Sequence, residues 1–229
     1  MHILGLVLIL LLVAAIFGPQ LWVRHVLQRH GADRPDFPGT GGELAEHLIA
    51  EHGLDGVKVE TTEKGDHYDP QTRTVCLSRE THAGKSLTAV AVAAHEVGHA
   101  LQHAREEKGL KLRQSLVGVA AATDTVASAF FIAAPVLTVI VRSPLALLAM
   151  AGIGIALLAV RVLVHLVTLP VEFDASFGKA LPILRAGNYL QESDLSDARG
   201  VLRAAALTYV AAALTSLLDL ARWIRLLRW

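Results

Sequence analysis

The chain has 229 residues, 53% of them apolar, with 21 Lys or Arg balanced by 21 Asp or Glu. A mean hydropathy of +0.46 points to a membrane protein, and the balanced charge with no basic tract excludes nucleic acid as a partner. Cys76 is the single cysteine, so neither an intramolecular disulfide nor a cysteine-built zinc site can form.

In chain order, Ile3 to Phe17 carries no charge and extends through Gly18-Pro19 to Val23, long enough to cross the hydrocarbon core. It lacks the basic n-region and small-residue cleavage site of a signal peptide, so residues 1–23 are read as a retained transmembrane helix. A polar segment, 24–125, follows. Within it, Arg24 to Thr40 is a linker with Pro35 and Pro38, and Gly41 to His52 places Leu44, Leu48 and Ile49 on one helical face before Gly53. Val57 to Thr61 and Thr72 to Ser78 alternate apolar and polar residues, predicting a small antiparallel sheet with Asp69-Pro70 in the connection. Ser86 caps a predicted helix over Leu87 to Ala104, whose first half is small and apolar all round and therefore buried.

Val126 to Val141 and Leu145 to Leu169 predict a transmembrane hairpin over 126–169, broken at Arg142-Ser143-Pro144. Residues 170–203 are expected to form a helix carrying a third ligand and a connection. The last segment, 204–229, is hydrophobic to interfacial: Ala204 to Leu218 spans about 22 Å as a helix, short of a core of about 30 Å, and Arg222, Arg225 and Arg228 sit beside Trp223 and Trp229. The fold class expected is thus a mainly α membrane protein with three to four transmembrane helices. The 12 Lys or Arg in 24–125 and the 4 in 170–203, against Arg142 alone between the hairpin helices, predict that both polar segments face the cytoplasm.

The chemistry lies in His95-Glu96-Val97-Gly98-His99. Histidines four apart on a helix project from one face and can bind one zinc ion, and the adjacent Glu96 can act as general base on a water that the metal activates. The apolar residues before the motif argue against two solvated histidines, because a buried pair with a glutamate is costly without a metal or partners. A catalytic site needs a third protein ligand. His103 continues the stripe, but its axial rise of about 12 Å from His95 is too far for one shell. Arg105 stands where the metzincin pattern has its third histidine. That leaves Glu172 or Asp174, just after the hairpin, with Glu172 preferred in a two-His, one-Glu site. His67, in His67-Tyr68-Asp69, either orients substrate or stabilises the oxyanion, or sits at the edge of a turn made by Asp69-Pro70. Tyr209 is a further oxyanion donor or an interfacial aromatic.

Five blocks carry a resemblance: DHYDP (Asp66 to Pro70), VCLS (Val75 to Ser78), VAVAAHEVGHALQHA (Val90 to Ala104), TLPVEFDAS (Thr168 to Ser176) and AAALTYVAAAL (Ala204 to Leu214). Together they resemble the YugP-type neutral zinc metallopeptidases, a family of bacterial membrane proteins. The resemblance implies a zinc endopeptidase of the cytoplasmic membrane with His95 and His99 as ligands and Glu96 as base. More distantly the chain is similar to the HtpX and CAAX prenyl protease group, in which a glutamate opening an E-x-x-x-D pattern supplies the third ligand. Glu172 falls on that glutamate and Ser176 where the aspartate would be, with Asp174 as the alternative for its supporting role. By the same similarity, the strand Thr72 to Ser78, with Val75 and Leu77, would pair with an extended protein substrate by strand addition. The expected partners are a protein or peptide substrate, the lipid bilayer, and a membrane protein or second copy of the chain. A competing reading is a zinc-organised membrane scaffold without proteolytic activity, against which Glu96 argues because a structural site needs no base. A metal-ion carrier lacks intramembrane ligands, since His165 alone lies well inside a predicted span.

Overall fold

A computed structural model describes residues 2–141 and 143–226. Arg142, Arg228 and Trp229 lie outside the described residues, as do the side chains of Arg161, Tyr209, Arg222, Trp223 and Arg225. The elements run α1 (His2–Arg29), α2 (Gly41–Glu51), β1 (Lys58–Thr61), β2 (His67–Asp69), β3 (Thr74–Leu77), α3 (Arg79–Ala83), α4 (Leu87–Ala104), α5 (Lys108–Val141), α6 (Pro144–Phe173), a π-helical turn (Asp174–Ala180), α7 (Leu181–Ala186), a 3-10 turn (Glu192–Asp194) and α8 (Leu195–Leu226). The chain divides into two compact units, one of Met1–Gln20, Leu112–Thr168 and Tyr209–Trp229, the other of Leu21–Lys111 and Leu169–Thr208.

The first unit is helical in its described residues, and here the sequence expectation fails. Among the described residues no helix is long and apolar enough to cross a membrane, which overturns the three to four transmembrane helices. Two of the apolar blocks are not self-contained elements. The block ending at Val141 belongs to a helix that opens with Lys108, Lys111 and Arg113, and the block at Ala204 to one that carries Asp197, Arg199 and Arg203.

The second unit has α4 at its centre. Ser86 caps it as expected, its hydroxyl accepting from the Ala89 amide at 3.1 Å, and every residue from Ala89 to Gln102 is buried. Leu44, Ala45 and Leu48 of α2 share a core cluster with Val90, Ala91, Ala94 and Val97 of α4 and with Val201 and Leu202 of α8. The N-terminus of α2 is a reciprocal cap: the Glu43 amide donates to the Thr40 hydroxyl at 3.2 Å, and the Thr40 amide donates to the Glu43 carboxylate at 2.7 Å. The helix ends before Gly53, whose φ of +59° favours glycine.

The sheet is mixed rather than antiparallel, with order β1-β3-β2. β1 runs parallel to β3, pairing Lys58 with Thr74 and Thr61 with Leu77, whereas β2 and β3 form an antiparallel hairpin pairing His67 with Cys76 and Asp69 with Thr74. The difference arises because residues 67–69, expected as part of a connection, form a strand that takes the antiparallel edge and leaves β1 the other. The Asp69 carboxylate accepts from the Gln71 amide and the Thr72 hydroxyl, both at 2.9 Å, and so holds the hairpin turn; the Gln71 hydrogen bond chiefly keeps it below the usual carboxylate range.

Replacing Thr40 with alanine removes the side-chain half of the α2 cap and is expected to lower stability by about 1 kcal/mol in denaturant unfolding, with zinc content unchanged.

Candidate metal centre

His95 and His99 lie one turn apart on α4, their rings edge to face with centroids 4.8 Å apart at 79°. Glu172 arrives in the last turn of α6. Its Oε2 is 3.3 Å from His95 Nε2 and 3.2 Å from His99 Nε2. All three residues are buried, Glu172 to 1% exposure, and their donor atoms lie within 4.8 Å of one another, a grouping able to hold a metal ion.

The donor set fits zinc. Two imidazole nitrogens and a carboxylate oxygen are the ligands of catalytic zinc sites, and two atoms each 2.0–2.1 Å from a tetrahedral ion stand roughly 3.3 Å apart. The spacings of 3.2 and 3.3 Å match that separation. Asp174, the other candidate ligand, is outside this cluster, as is His103, whose Nδ1 is 2.8 Å from the hydroxyl of Tyr68. Burial raises the pKa of that tyrosine.

Behind the imidazoles stand two sets of partners. His95 Nδ1 is 2.9 Å from the hydroxyl of Ser176, which donates to the Leu202 carbonyl of α8 at 3.0 Å. Ser176 therefore meets His95 directly, at the position where the related pattern has aspartate. His99 Nδ1 is 2.9 Å from Oε1 of Gln102, and the Gln102 amide donates to the Val171 carbonyl at 2.9 Å and to Asp174 Oδ2 at 2.8 Å. Asp174 also accepts from Lys179 at 2.6 Å, and Lys179 reaches Glu107 at 3.0 Å. Burial pushes Asp174 up, but the hydrogen bonds from Gln102 and Lys179 outweigh it and hold the carboxyl below its ordinary range. Asp174 is thus linked to His99 through Gln102.

The elements approach closely because of Gly98. A Cβ there would lie 2.7 Å from the Ala175 carbonyl oxygen, so no side chain fits between α4 and the π-helical turn. Gly98 and Gln102 escaped the sequence reading. For Gln102 a signal existed, since it lies three residues after His99 and so on the same helical face; for Gly98, the facing backbone is not visible in the sequence.

Glu96 is buried at 6% exposure on the same helix and outside the three-donor cluster. Cys76 on β3 is part-buried and unbridged, its thiol pushed up by burial and then by the charges of Asp69, Glu60 and Glu96. His67 Nδ1 is 2.8 Å from the Gly65 carbonyl in its own turn. Val75 and Leu77 are fully buried, and β3 is paired on both edges. Neither residue presents an exposed side chain or a free backbone edge in this sheet. The side chain of Tyr209 lies outside the described residues.

With this geometry in place, the family is decided by comparison. Residues 5–228 match a family model described as "Putative neutral zinc metallopeptidase". The chain belongs to this family. It is 37% identical over 210 residues to the "Putative membrane protease YugP" of Bacillus subtilis (strain 168), covering 91% of this chain and 89% of that protein. No solved structure matches it. Zinc is the metal of this peptidase family, and His95, His99 and Glu172 form the grouping suited to it.

Gly98→Ala is expected to force α4 from the π-helical turn, destabilising the fold by about 1–3 kcal/mol and weakening zinc binding in chelator competition. His103→Ala is expected to leave zinc content at the parent level.

Proposed function

We propose that the protein is a membrane-associated zinc-dependent endopeptidase that hydrolyses peptide bonds of protein substrates, with His95, His99 and Glu172 as zinc ligands and Glu96 as general base. The observation that carries the reading is the convergence of His95 and His99 of the HEVGH helix on a carboxylate from a distant part of the chain. Zinc held there supplies Lewis-acid activation of water and of the scissile carbonyl. The Glu96 carboxylate takes a proton from the attacking water and delivers it to the departing amide nitrogen, so that one C–O bond forms and one C–N bond breaks. Burial of Glu96 keeps this proton transfer away from bulk solvent. Ser176 and Gln102 hold the two imidazoles, and Gly98 lets the third ligand approach.

Membrane association is supported by the relative's name, a membrane protease of a bacterium, and we place the protein at the cytoplasmic membrane on that basis. The cytoplasmic sidedness drawn from the Lys and Arg distribution required crossing helices and falls with them. The scaffold reading explains the ligands but gives Glu96 no task.

The test compares the purified full-length chain with Glu96→Gln, measuring bound zinc and cleavage of an unfolded protein. Both are expected to bind one zinc per chain, with cleavage by the variant lower by about 100- to 10,000-fold. Zinc in both with cleavage in neither would replace the peptidase by the scaffold.

A further inference from the structure

The geometry points to Gln102 as a positioning residue that ties the two ligand-bearing elements together: one amide fixes the ring of His99 and the turn that carries Glu172. The inference rests on His99 and Glu172 being the zinc ligands, and not on the peptidase activity.

Hydrogen-bond directions make the case. Both amide protons of Gln102 have acceptors, the Val171 carbonyl at 2.9 Å and Asp174 Oδ2 at 2.8 Å. A carbonyl oxygen and an ionised carboxylate accept and do not donate, so the amide cannot be flipped, and Oε1 must be the atom that faces His99 Nδ1 at 2.9 Å. An amide oxygen accepts. His99 therefore carries a proton on Nδ1, which leaves Nε2 to offer its lone pair to a metal shared with Glu172 Oε2, 3.2 Å away. Ser176 imposes the same tautomer on His95 by a different route, because its hydroxyl proton is committed to the Leu202 carbonyl and its oxygen is left to accept from His95 Nδ1.

The two supports differ in what else they hold. Ser176 anchors His95 to α8. Gln102 anchors His99 to residues 171 and 174, which flank Glu172 on both sides. Gln102 is 1% exposed, so solvent does not replace these bonds when they are lost. Asp174 is held in turn by Lys179, five residues on. In a π-helical turn residues five apart are neighbours along the axis, which accounts for this pairing. The chain of contacts from Glu107 through Lys179, Asp174 and Gln102 to His99 thus runs behind the ligands. The consequence is an asymmetry: loss of Ser176 frees one ring, whereas loss of Gln102 frees one ring and also loosens the placement of the carboxylate ligand.

The experiment reads the ring nitrogens and zinc, not proteolysis. Nitrogen-15 spectra of the metal-free full-length chain are recorded for the parent, Gln102→Met and Ser176→Ala, and zinc affinity is measured by chelator competition. The parent should show both histidines protonated on Nδ1. In Gln102→Met, His99 should lose that single tautomer while His95 keeps it, and Ser176→Ala should show the reverse. Zinc affinity should fall about 10- to 100-fold in each, further in Gln102→Met. An unchanged His99 tautomer in folded Gln102→Met, or parent zinc affinity, overturns the inference. If Gln102→Met does not fold, Gln102→Glu serves: one oxygen still accepts from His99, while the other has at most one proton for the two acceptors on Val171 and Asp174, so His99 should stay protonated on Nδ1 while zinc binding weakens. Zinc affinity equal to the parent's there overturns the tie to Glu172. A parent that binds no zinc overturns the metal centre itself, a result distinct from the others.

Discussion

Everything around the centre follows from one constraint: α4 is buried from Ala89 to Gln102 and yet carries two imidazoles, a carboxylate and an amide within two turns. A buried polar group without a partner costs on the order of 1–3 kcal/mol, and a charge costs more. The interior must therefore answer each imidazole on both of its nitrogens. Nδ1 of each finds a side chain that is itself anchored to backbone, and Nε2 of each faces Glu172 at a separation where a shared metal would take both lone pairs. The bare backbone of Gly98 is the steric counterpart, since those partners come within reach when two segments pack without a side chain between them.

The π-helical turn is the second half of the same solution. Widening the helix after Phe173 aligns Asp174 with Lys179 and sets Ser176 against His95. Such wide turns cost hydrogen-bond geometry and recur at functional sites. Here the turn follows directly on the helix that delivers Glu172, so ligand and support come from one short stretch. The lysine, 8% exposed, is held between Asp174 and Glu107, and these two acids keep it charged against the opposing effect of burial.

Much of the second unit was legible in the sequence. Leu87 to Ala104, its Ser86 cap, the short α2 and the stop at Gly53 appear where composition and capping rules put them, because local preferences there agree with burial. Glu172 was reachable by elimination and by resemblance. The sheet was not, since its order depends on a three-residue strand too short to show an alternation, and the pairing of β1 with β3 is non-local. Hydropathy misled more seriously. It marks apolar blocks, but it does not say where helices begin and end, and α5 and α8 join apolar stretches to charged ones. Ser176 read as a departure from a related pattern, while in the structure a serine suffices because the Leu202 carbonyl takes its proton and leaves the oxygen to serve the histidine.

His99 and Glu172 are 73 positions apart in the chain. A cation bound to both closes a loop of that length, and by the logarithmic law of loop closure such a closure removes about 4 kcal/mol of freedom from the unfolded chain. The metal is then a staple as well as a reagent. An emptied molecule gives up that share of its stability, so although folded it opens more often and becomes the form more exposed to being digested itself.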